Sequence, residues 1–257
     1  MAVAEVDGFP TLVLLPGLDG TGQLFDRFRE VLGPDLSIQV IRYPESGPQD
    51  ADTLATWVRK HLPTAPFVLV AESFSGPVAI RLASEPPPGL AGMVLCATFA
   101  SNPRPRLAWM RSFLPILPLF PALAPALGPW LFGRYGSRSL RQQVQNALTL
   151  VSSQTLKARL KQVLTQDVSG LCRRVAVPVL DLRAQEDRLV PARARRGLED
   201  LPQLTQASIP GPHLLLQTKP QGAVDVILGF MEAQGFPLPK RTPDTATNPG
   251  PATRSPV

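Results

Sequence analysis

The chain has 257 residues, of which 44% are hydrophobic and 18% are charged, and its mean hydropathy is +0.05. This size and composition predict one globular domain with a sizeable core and exclude a chain that is disordered throughout. The net charge of +6 favours anionic partners. Nucleic acid is not an expected partner, because the sequence has no helix-turn-helix pattern and no basic run interleaved with aromatic residues.

The cysteine content and the first residues indicate the compartment. Cys96 and Cys172 are too few for a disulfide framework and too far apart in sequence for a metal-ligand pair. The first ten residues lack the basic region and the apolar run of a secretory signal. We therefore expect a cytoplasmic protein with reduced thiols.

Apolar strand-like runs alternate with helix-like stretches through the first 98 residues. Strands are predicted at residues 11–15, 37–42, 67–71 and 92–98. Helices are predicted at residues 21–32, 51–62 and 77–83. Parallel strands joined by crossover helices are buried on both faces and read as continuous apolar runs. The pattern therefore predicts an α/β fold with a mostly parallel sheet and helices on both faces.

The alternation breaks between residues 99 and 170. Residues 112–133 carry no charge and are long enough to cross a bilayer, but their five prolines resist a regular spanning helix. An amphipathic helical region follows at residues 137–168. We expect this insertion to form a helical cap over a pocket, and a surface that touches the membrane is the alternative.

The sheet pattern resumes after this insertion. Strands are predicted at 177–184 and 204–209, and helices at 191–201 and 221–234. The end of the chain is rich in Pro and Thr and is predicted to be disordered. The predicted organisation is an α/β core of residues 1–98 and 171–235, a helical cap of residues 99–170, and a tail of residues 236–257.

The sequence AESFSG at residues 71–76 lies between a predicted buried strand and a predicted helix. A nucleophile elbow needs this arrangement, because a tight strand-to-helix turn exposes the serine hydroxyl and leaves room only for small neighbours. Ala71 and Ser75 stand where glycine is usual, and both are small. Ser73 is therefore the candidate nucleophile. An ordinary turn with helix-capping serines is the competing interpretation.

A serine nucleophile needs a base, and the chain has two histidines. His61 falls at the end of a predicted helix, where a solvated or capping role is expected. His213 follows the last predicted strand on a turn-rich loop, at the edge of the sheet where active sites of open α/β folds gather. We therefore predict that His213 is the base.

The imidazole of a catalytic histidine needs a carboxylate to orient it and to stabilise its protonated form. Asp187 lies in the turn after the predicted strand 177–184, and Asp181 and Glu186 are the alternatives. The order of nucleophile, acid and base along the chain is then Ser73, Asp187 and His213. This order is the one found in α/β-hydrolases and differs from those of chymotrypsin and subtilisin.

The loop LPGLDGTG at residues 15–22 can supply donors for the oxyanion of an acyl-transfer reaction. The backbone N–H groups of Leu18 and Phe74 are the candidate donors. Phosphate binding is the competing interpretation of this glycine-rich loop. It is disfavoured, because Gln23 and Leu24 stand where a P-loop requires lysine and Ser or Thr.

Four short motifs carry a resemblance to a known family: PGLDGTG, AESFSG, EDRLVP and GPHLLLQ. Together they resemble the α/β-hydrolase superfamily over about residues 10–234. The chain is most similar to small serine esterase, lipase and thioesterase-like members that have Pro-Gly in the oxyanion loop. A fainter likeness is to plastid acyltransferases that make phytyl esters. The resemblance implies the α/β-hydrolase fold and a cap after the strand that follows the elbow helix.

These observations predict a serine hydrolase that cleaves a carboxylic ester or thioester through an acyl-enzyme. The apolar first half of the predicted cap favours a medium or long acyl chain. Acyl transfer by the same intermediate and non-catalytic binding of a lipid or small molecule are the alternatives. No metal or organic cofactor is expected.

Basic residues in the second half of the predicted cap indicate which partners the protein could bind. They could hold an anionic lipid surface or an acidic carrier, so that the protein would also associate peripherally with membranes. A solvated helix face is the competing interpretation. The residues concerned are Arg138, Arg141, Lys157, Arg159 and Lys161.

Overall fold

The computed structural model describes residues 9–114 and 124–239. In these ranges, parallel strands form one sheet in the order β2-β1-β3-β4-β5-β6. The strands are β1 (Thr11–Leu15), β2 (Ile38–Val40), β3 (Phe67–Glu72), β4 (Leu90–Cys96), β5 (Val179–Ala184) and β6 (Leu204–Ile209). The predicted α/β fold with a mostly parallel sheet is confirmed.

Helices cover both faces of this sheet. They are α1 (Asp26–Leu32), α2 (Ala51–Arg59), α3 (Gly76–Ala83), α4 (Ala124–Leu131), α5 (Arg138–Thr149), α6 (Ser153–Thr165), α7 (Leu215–Thr218) and α8 (Pro220–Ala233). Leu12 and Leu14 of β1 pack with residues of α1 and α8, whereas Val13 and Leu15 pack with residues of α2 and α3. This division follows from the alternation of side chains along a strand.

The predicted boundaries of several helices differ from the observed ones. The helix predicted at 21–32 is a 3₁₀ turn, Gln23–Phe25, followed by α1, and the helix predicted at 191–201 is a 3₁₀ helix, Ala192–Leu198. The region predicted as helical at 137–168 is two helices, α5 and α6. Ser152 separates them, because its side chain accepts a hydrogen bond from the Thr155 N–H at 3.1 Å and caps α6.

The chain between β4 and β5, residues 97–178, is called here the β4–β5 segment. It contains the 3₁₀ helix Pro105–Ser112, the helices α4, α5 and α6, and the 3₁₀ helices Gly133–Tyr135 and Ser169–Arg174. The core and cap boundaries at 98, 170 and 235 stay a prediction. In the ranges 9–114 and 124–239, no helix is both long enough and apolar enough to span a bilayer.

Parts of two predicted regions lie outside the described residues. These are residues 115–123 of the proline-rich stretch and residues 240–257 of the tail. Within the described chain, Phe236 and Leu238 pack against the cluster between the sheet and α8. The contacts of the core therefore extend past residue 235.

Candidate active site

Ser73 lies on the sharp turn that leads from β3 into α3. Its φ of 51° is in the left-handed region, which a residue with a Cβ seldom adopts. The Thr98 hydroxyl donates a hydrogen bond to the Ser73 carbonyl. A Cβ at Gly76 would overlap the Thr98 side chain, so glycine is required there. The turn is thus held from one side by the residues that follow β4, and the predicted elbow geometry is present.

The structure brings together the three residues predicted to form a triad. The distance from Ser73 Oγ to His213 Nε2 is 2.7 Å, and that from His213 Nδ1 to Asp187 Oδ2 is 2.9 Å. The side chains of His213 and Asp187 are buried. With Nδ1 protonated, His213 donates to Asp187 and its Nε2 accepts from the Ser73 hydroxyl. The residues come from the carboxyl ends of β3, β5 and β6.

Asp187 is held as an anion by its surroundings. Its Oδ1 accepts hydrogen bonds from the N–H groups of Leu189 and Val190, both at 2.8 Å. Burial raises the pKa of Asp187, but the charge and hydrogen bond of His213 and these two N–H groups outweigh burial. The net pKa is below its ordinary value. A carboxylate in this state can stabilise an imidazolium.

The alternative acids and the second histidine have other partners. Asp181 lies inside β5, where it pairs with Arg183 at 2.6 Å. Glu186 accepts a hydrogen bond from the Tyr135 hydroxyl at 2.6 Å, on the surface of the β4–β5 segment. His61 is exposed just past α2, and its Nδ1 donates to a carbonyl in the last turn of that helix. The predicted capping role of His61 is confirmed.

Ser75, the second serine of the elbow, is completely buried. It donates to the Pro16 carbonyl and accepts from the Tyr43 hydroxyl at 2.5 Å. Burial raises the pKa of Tyr43 above its ordinary value, so the phenol remains a proton donor. Ser75 therefore joins the elbow to the glycine-rich loop and is not available as a nucleophile.

The glycine-rich loop passes beside the nucleophile. A Cβ placed at Gly17 would lie 4.0 Å from the Cβ of Ser73. The N–H of Phe74 belongs to the first turn of a helix, where N–H groups have no intrahelical acceptor. These positions fit the oxyanion donors predicted at Leu18 and Phe74, and the assignment of those donors stays a prediction.

Arg159 of α6 is a site residue whose role sequence reasoning missed. Its guanidinium donates to the carbonyls of Leu18 at 3.1 Å, Asp19 at 2.5 Å and Pro44 at 3.2 Å, and to the Gln49 side chain at 2.8 Å. Only 1% of Arg159 is exposed. Burial lowers the pKa of Arg159, and the nearby Asp19 partly opposes this shift. The β4–β5 segment thus fixes the backbone of the glycine-rich loop.

The prediction that Arg159 lies on a solvated or anion-binding face is therefore wrong. Helical spacing contains the signal that was missed, because Arg159 follows Thr155 and Leu156 by four and three residues and shares their buried face. The loop accommodates it at Gly20, whose φ of 68° favours glycine. A Cβ there would overlap the Arg159 guanidinium.

Glu72, directly before the nucleophile, is a second residue without a predicted role. It is buried at the end of β3, and its Oε2 accepts from Gln217 Nε2 at 3.2 Å. Its Oε1 has no hydrogen-bond partner among the described residues. Burial raises the pKa of Glu72 to about 7, aided by Asp19 and opposed by Gln217 and His213. The signal in the sequence is a carboxylate that ends an otherwise apolar strand.

The two thiols and the carboxylates of the described residues do not form a metal site. Cys96 and Cys172 are buried, and burial raises the pKa of Cys172 to about 11. Among residues 9–114 and 124–239, no group of three or more His, Cys, Asp and Glu side chains is arranged to hold a metal ion. The arrangement around Ser73 is instead that of a hydroxyl, an imidazole and a carboxylate in series.

Comparison with known families adds to this geometry. A family model described as serine aminopeptidase, S33, matches residues 45–209, which is more than half of the chain. The chain belongs to the serine aminopeptidase S33 family. This S33-family chain is thus a hydrolase of the α/β-hydrolase superfamily. The matched residues include Ser73 and Asp187 and end before His213. The structure places His213 beside Ser73.

Solved structures similar to this S33-family chain are α/β-hydrolases and esterases. The enol-lactonase from Burkholderia xenovorans LB400 has a TM-score of 0.78 at 16% identity, with 89% of this chain and 93% of that chain covered. MenH from S. aureus has a TM-score of 0.75 at 16% identity, with 91% of this chain and 97% of that chain covered.

A third similar structure is a thermophilic esterase from Thermogutta terrifontis. Its TM-score is 0.73 at 21% identity, with 88% of this chain and 90% of that chain covered. At these identities the three likenesses show the shared fold. No curated protein sequence matches the chain significantly.

Proposed function

We propose that the protein is a serine hydrolase that cleaves a carboxylic ester or thioester through an acyl-enzyme. The observation that carries the proposal is the series of hydrogen bonds from Ser73 Oγ to His213 Nε2 and from His213 Nδ1 to Asp187. A serine hydroxyl is a weak nucleophile until a base removes its proton, and this series supplies the base and its orienting carboxylate.

In the first half of the reaction, Ser73 Oγ forms a bond to the carbonyl carbon while His213 Nε2 accepts the hydroxyl proton. The former carbonyl oxygen takes the electron pair of the broken π bond, and the N–H groups of Leu18 and Phe74 donate to it. Asp187 stabilises the imidazolium. The bond to the alcohol or thiol then breaks, and that group leaves with the proton from His213.

In the second half, water attacks the acyl carbon as His213 accepts one of its protons. The bond between the acyl carbon and Ser73 Oγ breaks, and the proton returns from His213 to the serine. The products are a carboxylic acid and the free enzyme. An acceptor alcohol in place of water would give acyl transfer by the same steps.

An apolar acyl chain is supported by the surroundings of His213. Leu214, the next residue, is buried in an apolar cluster that α5 and the neighbouring parts of the β4–β5 segment supply. The Leu214 N–H donates to the Leu131 carbonyl at 3.0 Å, which fixes α4 beside the base. A hydrocarbon chain gains free energy from apolar contact roughly in proportion to the area buried, at about 25 cal/mol per Å².

Fluorophosphonate labelling of the intact protein tests the nucleophile. We expect wild type to be labelled and Ser73→Ala not to be, because the reagent traps an activated serine. Ser46→Ala removes an exposed serine and should leave labelling unchanged. Labelling that persists in Ser73→Ala, or a folded wild type that is not labelled, would overturn the proposal in favour of another nucleophile or a non-catalytic binder.

A substrate series then tests the leaving group and the acyl chain. We expect kcat/KM for p-nitrophenyl esters to rise from acetyl to longer chains, and matched acyl thioesters to be cleaved as well. An aminoacyl p-nitroanilide represents the activity that the family description names. Faster cleavage of the anilide than of every ester would contradict the proposed substrate class, and product ester formed with added alcohol would identify acyl transfer.

A further inference from the structure

The positive charge of the chain is concentrated in one stretch. Residues 86–166 contain nine Lys and Arg residues and no Asp or Glu. The rest of the chain has more acidic than basic residues, so the net charge of +6 arises from this stretch. All of its basic side chains except Arg159 are at least partly exposed. Such a one-sided charge attracts anionic partners.

The same stretch exposes large apolar side chains close together. On and after the 3₁₀ helix Pro105–Ser112, Trp109 is 61% exposed and Phe113 is 47% exposed, and their rings pack edge to face with centroids 5.6 Å apart. Leu107 is 40% exposed and Trp130 of α4 is 45% exposed. We call Leu107, Trp109, Phe113 and Trp130 the aromatic patch.

The chain just after this 3₁₀ helix is packed against α6, which anchors the helix beside the aromatic patch. Leu114 is buried against Leu164 of α6, and Met110 packs on the same cluster. Met110 and Leu114 therefore face α6, and the exposed residues of the same stretch carry aromatic rings and arginines. An element with aromatic and basic residues outward is typical of proteins that lie in a membrane interface.

Arginines surround the aromatic patch. Arg106 and Arg111 are exposed on the same 3₁₀ helix, and the guanidinium of Arg104 lies 5.5 Å from the centroid of the Trp130 ring. Arg104 also donates to the carbonyls of Arg188 and Leu189, in the loop that follows Asp187. The aromatic patch is thus tied to the edge of the sheet that carries the candidate active site.

We propose that the aromatic patch and its arginines bind the surface of an anionic lipid bilayer. Tryptophan and phenylalanine place an apolar ring at the level of the lipid headgroups, and arginines pair with headgroup phosphates. Each arginine near an anionic surface strengthens binding about fivefold. A purely acidic polypeptide would pair with the arginines but offers no apolar contact to the exposed rings, whereas a bilayer offers both. The inference does not depend on the serine chemistry.

Fluorescence of single-tryptophan variants of the full chain tests the inference. The probes are vesicles of phosphatidylcholine alone and vesicles with an equal part of phosphatidylglycerol, each with brominated acyl chains that quench on contact. Trp57→Phe/Trp130→Phe reports on Trp109, and Trp109→Phe/Trp130→Phe reports on Trp57. Trp57 of α2 donates to the Arg42 carbonyl and is not part of the aromatic patch, so it serves as the control.

We expect Trp109 to be quenched on vesicles with phosphatidylglycerol, only weakly on phosphatidylcholine alone, and less as salt is raised. Trp57 should not be quenched. No quenching of Trp109, or equal quenching of both tryptophans, would overturn the proposal. Binding of soluble polyglutamate with no response to vesicles would also overturn it, in favour of an acidic polypeptide partner.

Charge variants separate the patch from a general effect of net charge. Arg106→Gln/Arg111→Gln removes two exposed charges beside the patch and should weaken vesicle binding about 20-fold. Arg27→Gln/Arg29→Gln removes two exposed charges from α1 and should change binding less than about threefold. Equal losses in the two double variants would contradict a defined surface. Circular dichroism of each variant checks that it is folded.

Discussion

The sheet and the β4–β5 segment differ in which side chains they bury and which they expose. In the strands β1, β3, β4 and β5, apolar side chains are buried on both faces, and Ser73, Asp187 and His213 follow the ends of β3, β5 and β6. The β4–β5 segment instead buries an arginine, Arg159, and exposes tryptophans. In the proposed reaction, loops at the end of the sheet supply the reacting groups, and the segment supplies part of their surroundings.

Arg159 is the point at which the two regions meet. It leaves α6 and donates to the carbonyls of Leu18 and Asp19 in the loop that passes beside Ser73. A buried guanidinium is costly unless its donors are paired, and here they are paired largely with backbone of the sheet region. The glycine-rich loop therefore depends on a residue about 140 positions away in the chain.

The largest expected effect comes from the sheet region. Asp187→Asn should lower kcat/KM for an ester by about 10⁴-fold, because the amide favours the wrong tautomer of His213. Steady-state kinetics measure this loss. Glu186→Gln changes the neighbouring carboxyl, which pairs with the β4–β5 segment, and should cost less than about threefold. Similar losses in the two variants would contradict the assignment of the orienting role to Asp187.

The next effect tests the link between the regions. Arg159→Met leaves buried carbonyls without donors and should lower the free energy of unfolding by about 3 kcal/mol or more. Fluorophosphonate labelling should slow by about tenfold, because the loop with Leu18 is no longer held. Lys161→Met, on the exposed side of α6, should change unfolding by less than about 0.5 kcal/mol. Chemical denaturation measures both.

Glu72, at the end of β3, gives a pH dependence of stability. Its folded-state pKa of about 7 is above the ordinary 4.5, so the folded state holds the proton more tightly than the unfolded state. Stability should therefore fall as pH rises from about 4.5 to about 7, by on the order of 3 kcal/mol, and stay lower above that range.

Glu72→Gln should remove this decrease and raise stability at pH 8 relative to wild type. Glu232→Gln, at an exposed position of α8, should retain the decrease. Urea denaturation of the three proteins between pH 4 and 9 makes the measurement. A decrease of equal size in Glu72→Gln would mean that another group is responsible.

The smallest expected effect concerns the helix that carries Arg159. Ser152→Ala removes the side chain that caps α6 and should cost about 1 kcal/mol of stability. Ser137→Ala removes the cap of α5 and should cost a similar amount. If α6 orients Arg159, only Ser152→Ala should also slow fluorophosphonate labelling. If both variants slowed labelling equally, the inferred link between α6 and the glycine-rich loop would be contradicted.

Most of the sheet and the three site residues could be predicted from local patterns. The apolar runs marked β1, β3 and β4 because a parallel strand is buried on both faces. Ser73, Asp187 and His213 could be selected because each follows a predicted strand, and carboxyl ends of parallel strands share one edge. The edges of helices were less predictable, since capping by Ser152 divides a region whose apolar spacing is continuous.

The sequence by itself determined the α/β fold, the turn at Ser73 and the order of Ser73, Asp187 and His213 after their strands, because these depend on short-range patterns of apolar and small residues. Only the tertiary structure decided that Arg159 is buried against the glycine-rich loop, that Glu72 lacks a partner for one oxygen among the described residues, and that Trp109 is exposed. Burial and pairing are set by contacts between residues far apart in the chain, and local spacing carries little record of them.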